Sequence, residues 1–381
     1  MFPFLLIFFL LMLAYGWLFY WYQRHWDTIP PTDITEREPA TPITLIIPAR
    51  NEAANLGRLF DSILAQRYPR TLLEVLIIDD HSTDETASMI KSIAMAYDHI
   101  KYIDLKAFDK EESHTAYKKK AIATGISLSK GKLIVTTDAD CWFGPDWLLT
   151  LAIFHEDHQA SFIAAPVQID SGKSILSKFQ SIDFMTMQGI TGAAVQGKFH
   201  SMCNGANLAY TREAYEEVNG FEGIDHIPSG DDMLLMHKIY KRYPEKVFYL
   251  KNDRAIVHTL AQPTWSSFLQ QRIRWASKST HYDDKRITAV LLLVYLVNVS
   301  FVVAMIVSLF NSKMAFFTLL LLLAKILIEF PFVQTVANFF KQHSLLLYHI
   351  LLQPVHICYM VLAGWLGKFG SYEWKGRWIK K

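Results

Sequence analysis

Hydropathy divides the chain before any residue is considered for its chemistry. Residues 1–22 (MFPFLLIFFLLMLAYGWLFYWY) carry no charge. At about 1.5 Å per residue they are long enough to cross about 30 Å of hydrocarbon as a helix. A second apolar block follows Arg286, in which 287–310 and 314–336 read as spans. Residues 345–366 form a third candidate, interrupted by His349, Gln353, Pro354 and His356. Between the blocks the pattern changes. After a polar, Pro-containing linker (23–42), apolar runs alternate with stretches of helical period. TLIIPAR, LEVLIIDD, IKYIDL, KLIVTTDAD and FIAAPVQI read as strands. The segments 52–66, 84–97, 115–129 and 146–158 read as the helices between them. This alternation predicts βαβ units and an α/β domain with a mainly parallel sheet covered on both faces, flanked by membrane helices.

A signal peptide is disfavoured for 1–22, because no basic region precedes the apolar run and no small-residue cleavage site follows it. The Trp and Tyr near its end, then Arg24, resemble an interfacial belt with a cytosolic flank. Three full C-terminal spans would carry the basic tail, 367–381, away from the cytosol that basic tails prefer, so the last segment is expected to be re-entrant or interfacial. Lys325 and Glu329 stand at i, i+4 and are expected to pair on one helix face. Residues 264–279 predict an amphipathic helix, and in 172–199 the helical spacing of Ile175, Phe179, Ile182 and Met185 predicts a packed face.

The remaining composition excludes more than it adds. Half the residues are apolar (51%) and 14% are aromatic, in keeping with membrane segments. A net charge of +2 gives no electrostatic case for a nucleic-acid partner. Three cysteines, Cys141, Cys203 and Cys358, make neither a disulfide framework nor a structural zinc site. Reduced thiols fit a cytosolic location for the α/β part.

Ligands of parallel sheets bind at the carboxyl ends of the strands. The first strand ends in Pro48-Ala49-Arg50-Asn51-Glu52, the second in Asp79-Asp80-His81-Ser82-Thr83-Asp84, the fourth in Asp138-Ala139-Asp140. A strand's period of two would set Asp138 and Asp140 on one face, where they repel unless a cation joins them. Mg²⁺ is commonly held by one or two carboxylates together with substrate phosphates. No glycine-rich phosphate loop is present. Ser82 to Asp84 are expected mainly to cap the following helix, leaving Asp80 to meet a ligand.

PARNE, DDHSTDET, TDAD, CNGANLAY, SGDDMLL and QRIRW, in this order over about 43–280, resemble the family 2 glycosyltransferases, which have the GT-A fold. YKKKAIATG is similar to that family's lysine segment, with Ala123 standing where the family usually has Asn. The resemblance implies a GT-A catalytic domain over 43–280 that includes the QxxRW helix. It implies donor contacts from Pro48, Glu52, Asp80, Lys118 and Asp138, with Asp80 holding the base. Asp138 and Asp140 would hold Mg²⁺ or Mn²⁺, and Asp232, the second acid of its pair, would be the catalytic base. Asp231, Gln271, Arg274 and Trp275 would serve the leaving group and the acceptor. Capping of a helix start is the plainer role for Asp231 and Asp232, and interfacial anchoring is the plainer role for Arg274 and Trp275.

The expected activity is inverting, metal-dependent transfer of a sugar from a cytosolic UDP- or GDP-sugar to a membrane-associated lipid, by a multi-pass protein of the plasma membrane with its catalytic domain in the cytosol. A processive polysaccharide synthase would share these sites but needs a channel. A non-catalytic nucleotide-sugar sensor is disfavoured by the intact Asp80, Asp138, Asp140 and Asp232. A nucleotidyltransferase would have no use for QRIRW.

Overall fold

The computed structural model describes residues 2–32, 37–108, 116–199, 202–227, 230–277, 284–370, 372–374 and 377–379. The chain opens with α1 (Phe2–Asp27), then β1 (Ile43–Ala49), α2 (Ala53–Leu64), β2 (Leu73–Asp79), α3 (Thr86–Ala96), β3 (Ile100–Asp104) and α4 (Tyr117–Leu128). It continues through β4 (Leu133–Thr136), β5 (Trp142–Phe143), α5 (Trp147–His158), β6 (Phe162–Ala164), β7 (Val167–Ile169) and α6 (Ile175–Gln196). Next come β8 (Leu208–Thr211), α7 (Arg212–Glu217), α8 (Met233–Arg242), β9 (Val247–Tyr249), β10 (Val257–Thr259) and α9 (Trp265–Ala276). Helices α10 (Lys285–Ser308), α11 (Ser312–Phe339), α12 (Leu346–Leu351) and α13 (Gln353–Phe369) follow, then β11 (Tyr372–Trp374) and β12 (Arg377–Ile379). These elements form two compact units, one from Ile29–Gln168 and Ser201–Leu260, the other from Met1–Thr28, Ile169–His200 and Ala261–Lys381.

The first unit is the α/β domain. Its seven-stranded sheet has the order β3-β2-β1-β4-β8-β6-β9. Strands β3, β2, β1 and β4 are mutually parallel, β8 is antiparallel to both neighbours, and β6 and β9 are parallel. Strands β1, β2 and β4 are buried almost throughout, as strands covered on both faces must be. FIAAPVQI is not one strand. Pro166 lies between β6 in the large sheet and β7 in a small sheet with β5 and β10. Proline supplies no backbone N–H, so the ladder breaks there.

Glu156 of α5 fastens the chain that enters β1. One carboxylate oxygen accepts from the Ala40 and Thr41 amides (2.9 and 3.0 Å) and from the Thr41 hydroxyl (2.7 Å). Arg37 stands 3.3 Å from the other oxygen.

The second unit is helical. Among the described residues three helices are long and apolar enough to cross a membrane: Pro3–Asp27, Lys285–Ser308 and Ser312–Phe339. Their exposed faces carry Leu6, Leu10, Leu13, Leu292, Ile306, Leu319 and Leu323, while Lys325 and Glu329 are buried. Apolar outside and charged inside inverts the pattern of a soluble bundle and suits lipid. Helix α1 continues past Tyr22 to Asp27, so 23–27 is helical rather than linker. Gln23 bonds Thr335 of α11 at 3.0 Å and Trp26 is fully buried. The last apolar segment is a helix pair, 343–351 and 353–369, bent by 71°. Gln353 at the break accepts from Lys325 (2.8 Å) and donates to Glu329 (2.6 Å). Lys325 and Glu329 also pair directly at 2.5 Å, as their spacing predicts. On α6, Phe179, Ile182 and Met185 are buried as expected, but Ile175 in the first turn is exposed. A Cβ on Gly189 of α6 would come within 2.3 Å of Val336, so α6 and α11 approach where a larger residue cannot fit.

Partial burial pushes the Glu156 carboxyl up, but the Thr41 hydroxyl, the Ala40 and Thr41 amides and Arg37 outweigh it and hold it below its ordinary value. A lowered acid stabilises the fold above its unfolded value and loses that contribution as the pH falls through its folded one. Glu156→Gln is therefore expected to lower the melting temperature of the purified protein at neutral pH, and the gap to wild type should narrow below about pH 4.5. Thermal unfolding across that range measures it.

Candidate active site

In the α/β unit β1 has β2 on one side and β4 on the other, all parallel. The chain leaves β1 toward β2 and β3 and returns to add β4 on the opposite side, so the strand order reverses between β1 and β4. Carboxyl ends at such a switch point are where open α/β sheets bind ligands. The rim residues predicted from the sequence collect there.

Two loops of this rim are locked together. Asn51 and His81 are both left-handed, at φ 54° and 58°, an uncommon conformation outside glycine. The Asn51 amide donates to the Ser82 hydroxyl (3.0 Å), and the Asn51 side chain accepts from the Thr83 amide (2.8 Å). Asp84 accepts from the Thr86 and Ala53 amides at 3.0 and 3.3 Å, and the Glu52 amide donates to Thr86 at 2.8 Å. Of the three residues expected to cap, only Asp84 meets helix-start amides, those of α2 and α3, while Ser82 and Thr83 bond Asn51 and cross-link the two loops. Glu52 is buried at the start of α2 and accepts from the Asn55 side chain at 2.7 Å, while Pro48 lies half-buried within β1.

Behind these loops lie Asp79 and Asp80, both buried. Asp79 accepts from the Ser82 amide at 3.1 Å. One Asp80 oxygen lies 3.1 Å from His81 Nδ1 and 3.9 Å from the Arg50 guanidinium, which also donates to the Asp80 carbonyl at 2.8 Å. Burial, then Asp79 and Asp104, pushes the Tyr102 hydroxyl up to about 12, so it stays protonated. Burial lowers Lys120, with Asp80 opposing the shift.

The centre of the site is Lys118, in the first turn of α4. Its ammonium lies 2.7 Å from Asp138 and 3.1 Å from Asp231. Burial alone would lower its pKa, but Asp138 and Asp231, with Asp232 further off, hold it well above the ordinary lysine value. Asp232 is the N-cap of α8. One of its oxygens accepts from the Met233 amide (2.7 Å) and the other from the Gly205 amide (3.3 Å). The adjacent acids therefore diverge, Asp231 to Lys118 and Asp232 to backbone N–H groups.

Asp138 and Asp140 lie beyond β4 rather than on it. The strand ends at Thr136, and the Cys141 amide donates to the Asp138 carbonyl at 3.2 Å, closing a turn over 138–141. Strand alternation therefore does not orient this pair. The turn is anchored where the Thr137 hydroxyl donates to the Ala206 carbonyl at 2.8 Å. Burial, then Asp140 and Asp138, pushes the Cys141 thiol up. Among the described residues no group of three or more His, Cys, Asp or Glu side chains is placed to hold a metal ion. Asp138 nevertheless keeps 38% of its side chain exposed. Two carboxylates completed by diphosphate oxygens are a donor set that fits Mg²⁺.

Three contributors escaped the sequence reading. A Cβ on Gly205 would stand 3.0 Å from both Asp231 Oδ2 and Lys118 Nζ, so the chain before β8 passes the ion pair where only glycine fits without displacement. Lys119 points away from Lys118 and donates to the carbonyls of Ile224 and Ile227 (2.6 and 2.8 Å), fastening the segment before α8. Asn207, fully buried, accepts from the Trp147 indole (3.0 Å) and donates to Pro166 and Ala255. Only the run of three lysines hinted at any of this.

Gln271, Arg274 and Trp275 belong to the helical unit, on α9, which ends at Ala276; residues 278–279 of the predicted helix lie outside the described residues. All three are half-buried. The buried arginine of this motif is Arg272, which the sequence reading did not single out.

The comparisons agree with this geometry. Residues 44–218 match the model of glycosyl transferase family 2, and residues 133–366 match that of glycosyl transferase family group 2. The chain belongs to the family 2 glycosyltransferases and has the GT-A fold. It is 24% identical to a probable glycosyltransferase of Bacillus subtilis over 240 residues, 61% of this chain and 54% of that one. It is 24% identical to a poly-β-1,6-N-acetyl-D-glucosamine synthase of Staphylococcus epidermidis over 64% of this chain and 55% of that one. A β-monoglucosyldiacylglycerol synthase of Nostoc sp. is 32% identical over 107 residues, 28% of this chain and 22% of that one. The chain spans about half the length of the first two of these curated relatives. The solved structure of a mannosyltransferase from Pyrobaculum calidifontis, in complex with GDP-Man and Mn²⁺, has a TM-score of 0.59 at 18% identity and 96% coverage of both chains.

Gly205→Ala is expected to leave the protein folded, since its neighbour Lys118 ends in a flexible ammonium, yet to displace that ammonium from Asp231. A shift of a few tenths of an ångström there should lower sugar transfer about tenfold. Transfer rate and melting temperature, measured together, check it.

Proposed function

We propose that this protein is an inverting glycosyltransferase that moves a sugar from a nucleoside-diphosphate sugar to a lipid acceptor at a membrane. The observation that carries the reading is the Lys118 ammonium between Asp138 and Asp231 at the switch-point rim, with Asp232 beside them. Family membership and the GDP-Man and Mn²⁺ of the Pyrobaculum structure support a nucleotide-sugar donor and a divalent metal. The name of the Nostoc relative supports a lipid acceptor.

In this reading Asp80 holds the base at the floor of the rim, and Pro48 and Glu52 line the same side. Asp138 and Asp140 would hold Mg²⁺ or Mn²⁺, which when bound neutralises charge developing on the diphosphate. Lys118 adds a fixed positive charge beside Asp138. Asp232, its carboxylate plane set by the amides of Met233 and Gly205, takes the proton from the acceptor hydroxyl. The acceptor oxygen bonds to the anomeric carbon as the bond to the diphosphate breaks, and this single displacement inverts the centre. Asp231 keeps Lys118 in place. For Arg274 and Trp275 of α9 the reading keeps the leaving-group and acceptor roles that the family resemblance implies. The catalytic domain, 43–280, works on the cytosolic side of the plasma membrane. The buried Cys141 and Cys203, neither in a disulfide, agree with a reducing compartment.

The Staphylococcus relative favours a second reading, in which the same chemistry extends a polymer. Membranes carrying wild type or Asp232→Asn would be given labelled UDP- and GDP-sugars with Mg²⁺, Mn²⁺ or EDTA. Metal-dependent label in extractable lipid, lowered about a hundredfold or more in the variant, is the expected result. Label in insoluble polymer would establish the second reading. Nucleotide-sugar binding without transfer would point to a sensor.

A further inference from the structure

In the helical unit a buried carboxylate joins three helices. Asp183 of α6 is 3% exposed and uses both oxygens. One accepts from Arg272 of α9 at 2.8 Å. The other accepts from the Tyr359 hydroxyl of α13 at 2.5 Å, with His356 Nε2 at 3.5 Å. Arg272 is itself 4% exposed, and its guanidinium does more than neutralise Asp183. It donates to the Gln271 side-chain oxygen at 3.2 Å and lies over the Trp275 indole at 4.2 Å. Two of the three motif side chains are thus in direct contact with a group whose place is set by Asp183. A buried ion pair is weak as a stabiliser, because desolvation offsets the attraction and an apolar pair would hold the helices as well. Its value lies in orientation: a planar fork fixed on one side presents a fixed face and a fixed N–H on the other.

We propose that Asp183, braced by Tyr359, is the positioning residue for the acceptor side of the motif, acting through Arg272 on Gln271 and Trp275. This rests on the glycosyltransferase reading for what the motif does. The coupling also makes the seat of α13 a determinant of the motif's geometry.

The test uses the full-length protein in detergent. Arg272→Lys keeps a charge for Asp183 but lacks the planar fork. It should melt near wild type, bind donor with an unchanged KM and turn over about tenfold more slowly. The double variant Asp183→Leu/Arg272→Met replaces the pair by apolar groups. It should fold and show the same turnover defect, no deeper when Trp275→Ala is added. Wild-type turnover in Arg272→Lys, or additive losses with Trp275→Ala, overturns the proposal. So does a turnover loss that merely follows the melting temperature. A readout independent of transfer is maleimide labelling of Gln271→Cys in a Cys358→Ser background. Asp183→Asn should change that labelling rate several-fold, and an unchanged rate overturns the positioning role. If wild type transfers no sugar while the labelling rate responds, the glycosyltransferase reading fails and the positioning stands.

Discussion

The site depends on one cation. The β1, β2 and β4 ends and the start of α8 bring Asp79, Asp80, Asp138, Asp231 and Asp232 to one edge of one domain, and like charges so gathered repel. Lys118 answers this where the two chain segments meet, bridging Asp138 from the β4 turn to Asp231 before α8. Burial works against an ammonium, and the two carboxylates overcome it. The segment before β8 can then pass close by only as Gly205. Because Asp231 is engaged by the lysine, its neighbour Asp232 is left to cap α8 with its carboxylate turned elsewhere. The adjacent acids thus have different partners, Asp231 an ammonium and Asp232 backbone amides.

The opposite side of the rim is fixed by a different device. Asn51 and His81 hold left-handed backbone that a larger or branched residue would resist, and the hydrogen bonds between their loops hold that conformation in place. Rigid loops on adjacent parallel strands place Asp80 without help from a glycine-rich turn. In the proposed reading a nucleotide would be met here by side chains and a metal, where a phosphate loop would use backbone amides.

In the helical unit three of the described helices are long and apolar enough to cross a membrane, and lipid would impose its own constraint. Charges there must find partners inside the bundle, and they do so in clusters that also set geometry. Lys325, Glu329 and Gln353 hold the bend between α12 and α13, and Asp183, Arg272 and Tyr359 hold α6, α9 and α13. The same helices that give these clusters a dry interior present leucines outward.

Much of this was legible in one dimension. Strand and helix alternation, the apolar blocks and the acids at strand ends are local patterns, and β1 to β4 with α2 to α5 stand within a few residues of where periodicity puts them. The pair Lys325–Glu329 was legible because i, i+4 is itself a local geometry. The errors have equally physical causes. Strand alternation was carried four residues too far, from Thr136 to Asp140, where a turn had begun, and FIAAPVQI hid a sheet change at Pro166. What the sequence by itself determined is therefore the set of elements and the chemistry gathered at their ends. Only the tertiary structure decided the pairings: which acid takes Lys118, that Lys119 faces the other way, and that Arg272 is the buried arginine of its motif. Those choices are made by contacts between segments far apart in the chain, and residue spacing carries no information about which distant segment will arrive.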